Sequence, residues 1–577
     1  MMKWIGRLFA LIGFLVVIGF AAVIFLAKEK GRPQVNPGSV LHIKLDGNIH
    51  ETQTSFTLRS LLEDKPVSLR SLVEMIEHAK SDPNIIGIMT EIQQPKIGIA
   101  QTQELRNALL DFNESGKFSY AYTDTFGELS PATNYYYLAA SHQKIWIQPL
   151  GHLCVTGIHY EVPFMRKLLE EWDINPQIGR RMEYKTALDS LTEFNMTPAH
   201  EESISTVLNS IFDQMVNHMA KDRNLSPDTL KSIFDTAPLY DPQEAVKVNL
   251  IDKVGYLYDL KDFIKEQHDP EAHFVSADDY GLHQKRRAKK STQSIAVIYA
   301  TGQIIRDHQN PMAFGDDNYI SLNQIEKAFD EALKDPTTRA IVLRVNSPGG
   351  SPIASETIAG HVKRSQKQGI PVIVSMSDVA GSGGYWICCY ANKIVAQPTT
   401  ITGSIGVIGG KIATEKFWNR FGITFDGLDI GKSSSMWSAV KPYDAEGWKK
   451  LQSWLDYIYD SFLGHVAAGR HLSLDHVKEI AKGRIWSGEE AKKFGLVDEL
   501  GGLNKAIALA KSEAHLSLAD DIDILEYPEE KSFLEKIAIL ASLEKATVGH
   551  LVKTICRISS LFERPGLKMS FDPEAIR

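Results

Sequence analysis

The sequence is poor in the features that announce metal, disulfide or nucleic-acid chemistry. Its 577 residues hold four cysteines, Cys154, Cys388, Cys389 and Cys556, with one adjacent pair and no metal-ligand spacing, which excludes a zinc site and a disulfide framework. No metal and no cofactor is expected. No large excess of positive charge is present either: the net charge is −8, which gives no reason to expect nucleic acid as a partner. A hydrophobic content of 43% against 23% charged residues is that of an ordinary globular protein.

Residues 8–27 lack any charge. At 1.5 Å per residue this run covers a hydrocarbon core of about 30 Å, so a single membrane span is expected, with the lipid bilayer as a partner. The following FLAKEKGRP has no small-x-small site, which argues against a cleaved leader. Lys3 and Arg7 on one side face Lys28, Lys30 and Arg32 on the other, so charge counting does not orient the span.

Beyond it, the chain says nearly the same thing twice. VLHIKLDGNI at 40–49 matches IAVIYATGQI at 295–304, each an alternating strand ending at glycine. Residues 68–92 match 321–345, in each case an amphipathic helix, an Asp-Pro stop and a buried strand. QKIWIQP at 143–149 matches NKIVAQP at 392–398, and EAVKVNLIDKVG at 244–255 matches EAKKFGLVDELG at 490–501. The predicted fold class is therefore α/β, two tandem repeats of largely parallel strands, at 38–280 and 294–528. A polar, basic linker is expected at 281–293. An extension follows at 529–577, where apolar residues at helical spacing (533–562) fit a packing helix or one lying on a membrane surface.

Within the second repeat, residues 378–386 read DVAGSGGYW and place Ser382 between glycines after the apolar run PVIVSM. A buried strand that empties into a glycine turn presents a hydroxyl as a nucleophile, although Ala380 stands where the pattern G-x-S-x-G has its first glycine. The turn NSPGGS at 346–351 supplies Gly349 and Gly350, whose N–H groups, with that of Gly383, are candidates for an oxyanion hole; a plain strand-to-helix turn capped by Ser351 is the alternative. Aligned on Pro149 and Pro398, Ser382 falls on Thr133, so the first repeat lacks the nucleophile. Its own charged candidate is Lys185, in GRRMEYKTALDS, which falls opposite Trp437. The losses are complementary. They predict one composite site, with Ser382 from one repeat and Lys185 from the other, Lys185 being kept neutral by burial and by any inward-facing Arg180 or Arg181. His465 is a rival base, but its counterpart His218 survives in the repeat without a nucleophile, which favours a structural role.

The motifs EYKTA around Lys185, NSPGGS, DVAGSGGYW, ITGSIGV at 401–407 and RIWSGEEAKKFGLVDELGG at 484–502 together resemble the signal peptide peptidase A (protease IV) family in its long form. The resemblance runs from the anchor to about residue 528. It implies a Clp protease/crotonase-type fold in each repeat and an oligomeric dome, a homotetramer, on the periplasmic face of a bacterial inner membrane. It implies hydrolysis of released signal peptides and other hydrophobic peptides, with Ser382 as nucleophile, Lys185 as general base and Ser404 orienting the lysine. Gly381 and Thr186 depart from the family's more usual residues without removing a chemical group. Two rival functions remain at this level: a crotonase-type acyl-CoA hydrolase or hydratase, and an inactive membrane scaffold.

Overall fold

The structure is a computed structural model that describes residues 35–51, 68–287, 291–306, 319–517 and 522–527. The expected anchor at 8–27 and extension at 529–577 lie outside these residues. Among the described residues, no helix is long and apolar enough to cross a membrane.

The first repeat contains strands β1 (Ser39–Asn48), β2 (Ile85–Lys96), β3 (Phe118–Thr123), β4 (Lys144–Ile147), β5 (Asn175–Arg181), β6 (Lys253–Val254) and β7 (His273–Ser276). All but β5 form a parallel sheet in the order β6-β4-β3-β2-β1-β7. The second contains β8 (Ser294–Thr301), β9 (Gln303–Ile305), β10 (Tyr319–Ser321), β11 (Thr338–Ser347), β12 (Val372–Gly381), β13 (Lys393–Ala396), β14 (Ile401–Gly403), β15 (Val407–Ala413), β16 (Ile485–Ser487), β17 (Glu499–Leu500) and β18 (Asp523–Tyr527). Its sheet repeats the first strand for strand, as β17-β13-β12-β11-β8-β18. One branch is longer here: β14 pairs with the last residues of β12 and β16 lies antiparallel on β14, where the first repeat has only the single bridges of Leu153 to Phe126 and to Leu239.

The duplication reaches individual dihedrals and bonds. Helix Leu69–Ser81 ends at Asp82 and helix Leu322–Lys334 at Asp335, each with φ −73° and ψ 115°, because the proline that follows bars its predecessor from helical geometry. Asp252 accepts from the Ile145 N–H at 2.7 Å and pairs with Arg223 at 2.9 Å. Asp498 accepts from the Ile394 N–H at 2.7 Å and pairs with Arg470 at 2.7 Å.

Each repeat has its own apolar core, the larger part on one face of its sheet: Ile43, Ile88, Ala121 and Tyr136 in the first, Ile298, Leu343, Val374 and Tyr385 in the second, with a smaller cluster under a helix on the other face. Burying side chains of this size contributes about 1.5–3 kcal/mol each, enough to hold a strand end rigid beneath a reactive group. Helix Ala277–Arg287 runs into the segment read as a linker, so that connection is partly helical. Cys154, Cys388 and Cys389 are buried free thiols.

Candidate active site

Ser382 sits immediately beyond β12. Its backbone takes φ 55° and ψ −121°, a region that costs a non-glycine residue about 1–3 kcal/mol. Three bonds hold it there: its N–H donates to Gly403 O at 2.9 Å, and its carbonyl accepts from the N–H groups of Tyr385 and Trp386 at 3.0 Å, opening the short helix Gly383–Trp386. Ala380 is still a β12 residue, fully buried and paired with Ser347 and Thr402, so no glycine is needed at that place.

The NSPGGS turn lies against this serine. Gly349 has φ 103°, and a Cβ there would come within 2.8 Å of Ser382 Cβ and 2.6 Å of Gly383 N, a space only glycine leaves open. The three amides proposed for anion binding are not equivalent. The Gly349 N–H donates to Ser347 Oγ at 3.2 Å. Those of Gly350 and Gly383 bond no protein acceptor among the described residues. They are also close together, since Gly350 N lies 3.1 Å from where a Gly383 Cβ would stand. Ser351 caps helix Pro352–Lys367 by accepting from the Ala354 N–H at 3.3 Å, so the turn serves both readings made from the sequence.

Lys185 arrives by a route that crosses the repeats. β5 of the first pairs antiparallel with β15 of the second, from Arg181 with Val407 to Asn175 with Ala413. The chain beyond Arg181 is thereby delivered beside the chain ahead of Val407. The second repeat then grips it: the Tyr184 N–H donates to Lys482 O at 3.2 Å, and Gly483, at φ 83°, packs so closely that a Cβ would be 2.5 Å from Lys185 N. Lys185 is 4% exposed, and its Nζ lies 2.9 Å from both the carbonyl oxygen and the hydroxyl of Ser404. Among the described residues no carboxylate pairs with it, and burial alone pulls the amine down to about 7.

Arg180 and Arg181 take no part in that lowering, contrary to the expectation from sequence. Arg180 is bound to Asp189, and Arg181 to Asp456 at 2.5 Å and Gln452 at 2.9 Å, so both guanidinium groups are turned away and neutralised.

Ser404 is bonded to Lys185 and lies beside the Ser382 turn, while among the described residues no hydrogen bond joins the Lys185 amine to the Ser382 hydroxyl. Gly381 pairs with Gly403 in the β12–β14 ladder, so the residues that follow them, Ser382 and Ser404, leave adjacent strands side by side at the usual spacing of about 4.8 Å. Ser404 also has positive φ, 50°, and its N–H donates to Arg484 O at 2.7 Å. An amine on the Ser404 hydroxyl is thus brought to the edge of the Ser382 turn. The β14–β16 branch and Gly483 were missed in the sequence, because strands of three residues carry too short a pattern to read.

His465 is engaged elsewhere: its Nδ1 meets Tyr390 OH at 2.5 Å and its Nε2 meets Glu356 at 3.2 Å, while burial pulls it below the usual imidazole range. His218 repeats the Tyr contact with Tyr137 at 2.7 Å. Both histidines brace a helix in their own repeat.

Comparison with known proteins agrees with this reading of a duplicated hydrolase. The profile of peptidase family S49 matches residues 112–270 and 364–517. Protease 4 of Salmonella typhi is 32% identical over 467 residues, spanning 78% of this chain and 72% of the relative. The chloroplastic serine protease SPPA of Arabidopsis thaliana is 28% identical over 89% of this chain and 75% of its own, and Protease 4 of Haemophilus influenzae is 27% identical over 94% and 90%. With two S49 regions in tandem and relatives of this kind along most of its length, the chain belongs to peptidase family S49 and is a serine peptidase.

Proposed function

We propose that this serine peptidase works through a dyad shared between its repeats, Ser382 as nucleophile and Lys185 as general base. The observation that carries the proposal is the buried amine of Lys185, fixed by Ser404 and paired with no carboxylate among the described residues. An amine of pKa near 7 is neutral in a large fraction of molecules at neutral pH. It donates its protons to the two Ser404 oxygens and keeps its lone pair for the Ser382 hydroxyl. As Ser382 Oγ attacks the peptide carbonyl, its proton passes to Lys185, and the oxyanion falls to the N–H groups of Gly350 and Gly383. The ammonium then protonates the leaving amine, and water, deprotonated by the restored base, releases the acyl group.

A site dry enough to keep a lysine neutral favours apolar side chains in the substrate. Hydrophobic peptides, released signal peptides among them, are the substrate class we propose. Each repeat is read as a Clp protease/crotonase-type unit, the shared strand order supporting this for both and the glycine-lined turn for the second. Residues 8–27 anchor the chain, single-pass, in a bacterial inner membrane with the catalytic repeats periplasmic. A homotetramer is proposed as the assembly, supported by a segment whose apolar side chains are exposed among the described residues: Phe421 and Phe425 about half, Leu428 at 97% and Ile430 at 93%. Hydrolysis of casein and of a hydrophobic peptide by the full chain tests the dyad. Ser382→Ala and Lys185→Ala should each abolish it; activity surviving either change would overturn the assignment of that residue.

A further inference from the structure

We propose that Asp378 is a positioning residue for the site, a carboxylate of the second repeat that caps a helix of the first and so fixes the end of β12 against the repeat that supplies Lys185. The inference rests on the Ser382–Lys185 reading and adds the group that sets how the two repeats meet.

Helix Ile99–Asn113 begins after Gly98, which has no side chain with which to cap it. Its first amides are taken by Asp378 Oδ1 instead, from Ala100 N at 2.9 Å and Gln101 N at 3.2 Å. A Cβ on Gly98 would lie 2.1 Å from Asp378 Oδ2, so it is glycine that admits the carboxylate. Asp378 lies near the end of β12, four residues ahead of Ser382. The next residue, Val379, donates its N–H to Asn346 Oδ1 at 3.2 Å, and Ala380 pairs with Ser347, which ties the same stretch to the Gly349–Gly350 turn. A shift of Asp378 is therefore passed to the nucleophile and to both oxyanion amides.

The groups facing Asp378 explain why its charge serves position rather than stability. Arg344 of β11, 1% exposed, pairs with Glu51 at 2.9 Å and Glu104 at 2.8 Å, both from the first repeat. Glu51 and Glu104 take the guanidinium between them, and Asp378, which has no ion pair with it, is left to the helix amides. Burial and the nearby Glu51 push Asp378 up to about 6, against the pull of the two amides and Arg344. An acid whose folded pKa lies above its unfolded value contributes most stability when protonated, and that contribution is lost as pH rises through about 6. A purely structural role would be better met by a neutral side chain.

The test uses the full chain and a fluorophosphonate, following its second-order rate of acylating Ser382 from pH 5 to 9, with Tm recorded at pH 8. Asp378→Asn should acylate about tenfold more slowly at pH 8 with Tm unchanged or raised. Below pH 6 the wild type should fall about tenfold under the single-proton line set by Lys185, while Asp378→Asn stays on that line. Gly98→Ala, which crowds the carboxylate out of its place, should slow acylation in the same way. A wild-type rate in Asp378→Asn, or a rate loss accompanied by a lower Tm, overturns the positioning role. Failure of the wild type to be acylated at Ser382 at any pH would overturn the underlying dyad instead.

Discussion

Lys185 of the first repeat places its Nζ 2.9 Å from the carbonyl oxygen and 2.9 Å from the hydroxyl of one residue of the second, Ser404. Neither oxygen is charged, so the contact orients the amine without favouring its protonated form as a carboxylate would. That distinguishes it from the ion pairs made by most buried cations here, such as Arg344 with Glu51 and Glu104. Burial without a counter-charge is how a lysine becomes a base.

Lys185→Met should lower kcat by about 10²–10⁴-fold, the usual worth of a general base. The same change should stabilise the protein. The folded pKa is depressed from 10.5 to about 7, so the amine's burial cost is full below pH 7 and fades as pH rises toward 10.5. A gain of a few kcal/mol in urea unfolding at pH 7 is expected, with about 4–5 as its ceiling.

The pH dependence follows from the same amine. kcat/KM for peptide hydrolysis should rise with pH and level off above about 7 as Lys185 loses its proton, by about tenfold per unit in Asp378→Asn and more steeply near pH 6 in the wild type. A profile flat from pH 5 to 8 would contradict a lysine base.

Ser404→Ala removes one of the two oxygens on the amine and leaves the carbonyl. A fall in kcat of about 5–100-fold is expected, corresponding to about 1–3 kcal/mol, with KM near that of the wild type. Steady-state kinetics on a hydrophobic peptide separates the two parameters.

Gly350→Ala should cost about 10²–10³-fold in kcat, because a Cβ there would sit 2.1 Å from Ile304 O at a φ of 151° and push an oxyanion amide aside. Gly360→Ala is the matched control. It lies within helix Pro352–Lys367 with nothing within 4 Å of its Cβ, so activity should be unchanged and stability raised by up to about 1 kcal/mol.

His465→Ala should leave hydrolysis within about tenfold of the wild type while lowering stability by about 1–2 kcal/mol, since the ring braces Tyr390 and Glu356. Near-complete loss of hydrolysis with the fold intact would restore histidine as the base.

The repeat was legible in the sequence, and Ser382 and Lys185 stood out as candidates because duplication turns each half into a control for the other. A serine on one side opposite a threonine, and a lysine opposite a tryptophan, mark what selection on a single copy would hide. The β5–β15 ribbon was not legible. Asn175–Arg181 is polar, with a proline and a glycine, and becomes a strand only when the second repeat supplies its partner. The Asp378 cap was hidden for the same reason: helix N-caps are sought next to the helix, and this one is 278 positions away. Repulsion by Arg180 or Arg181 required one of them to face inward, and the side chains instead leave β5 toward Asp189 and Asp456.

The most direct test of the shared dyad is peptide mapping by mass spectrometry after fluorophosphonate treatment at pH 8. The adduct should lie on Ser382 in the wild type and be lost in Lys185→Ala, although every residue around the serine in its own repeat is unchanged. An adduct on another serine, or equal labelling of Ser382 without Lys185, would contradict a site built from both repeats.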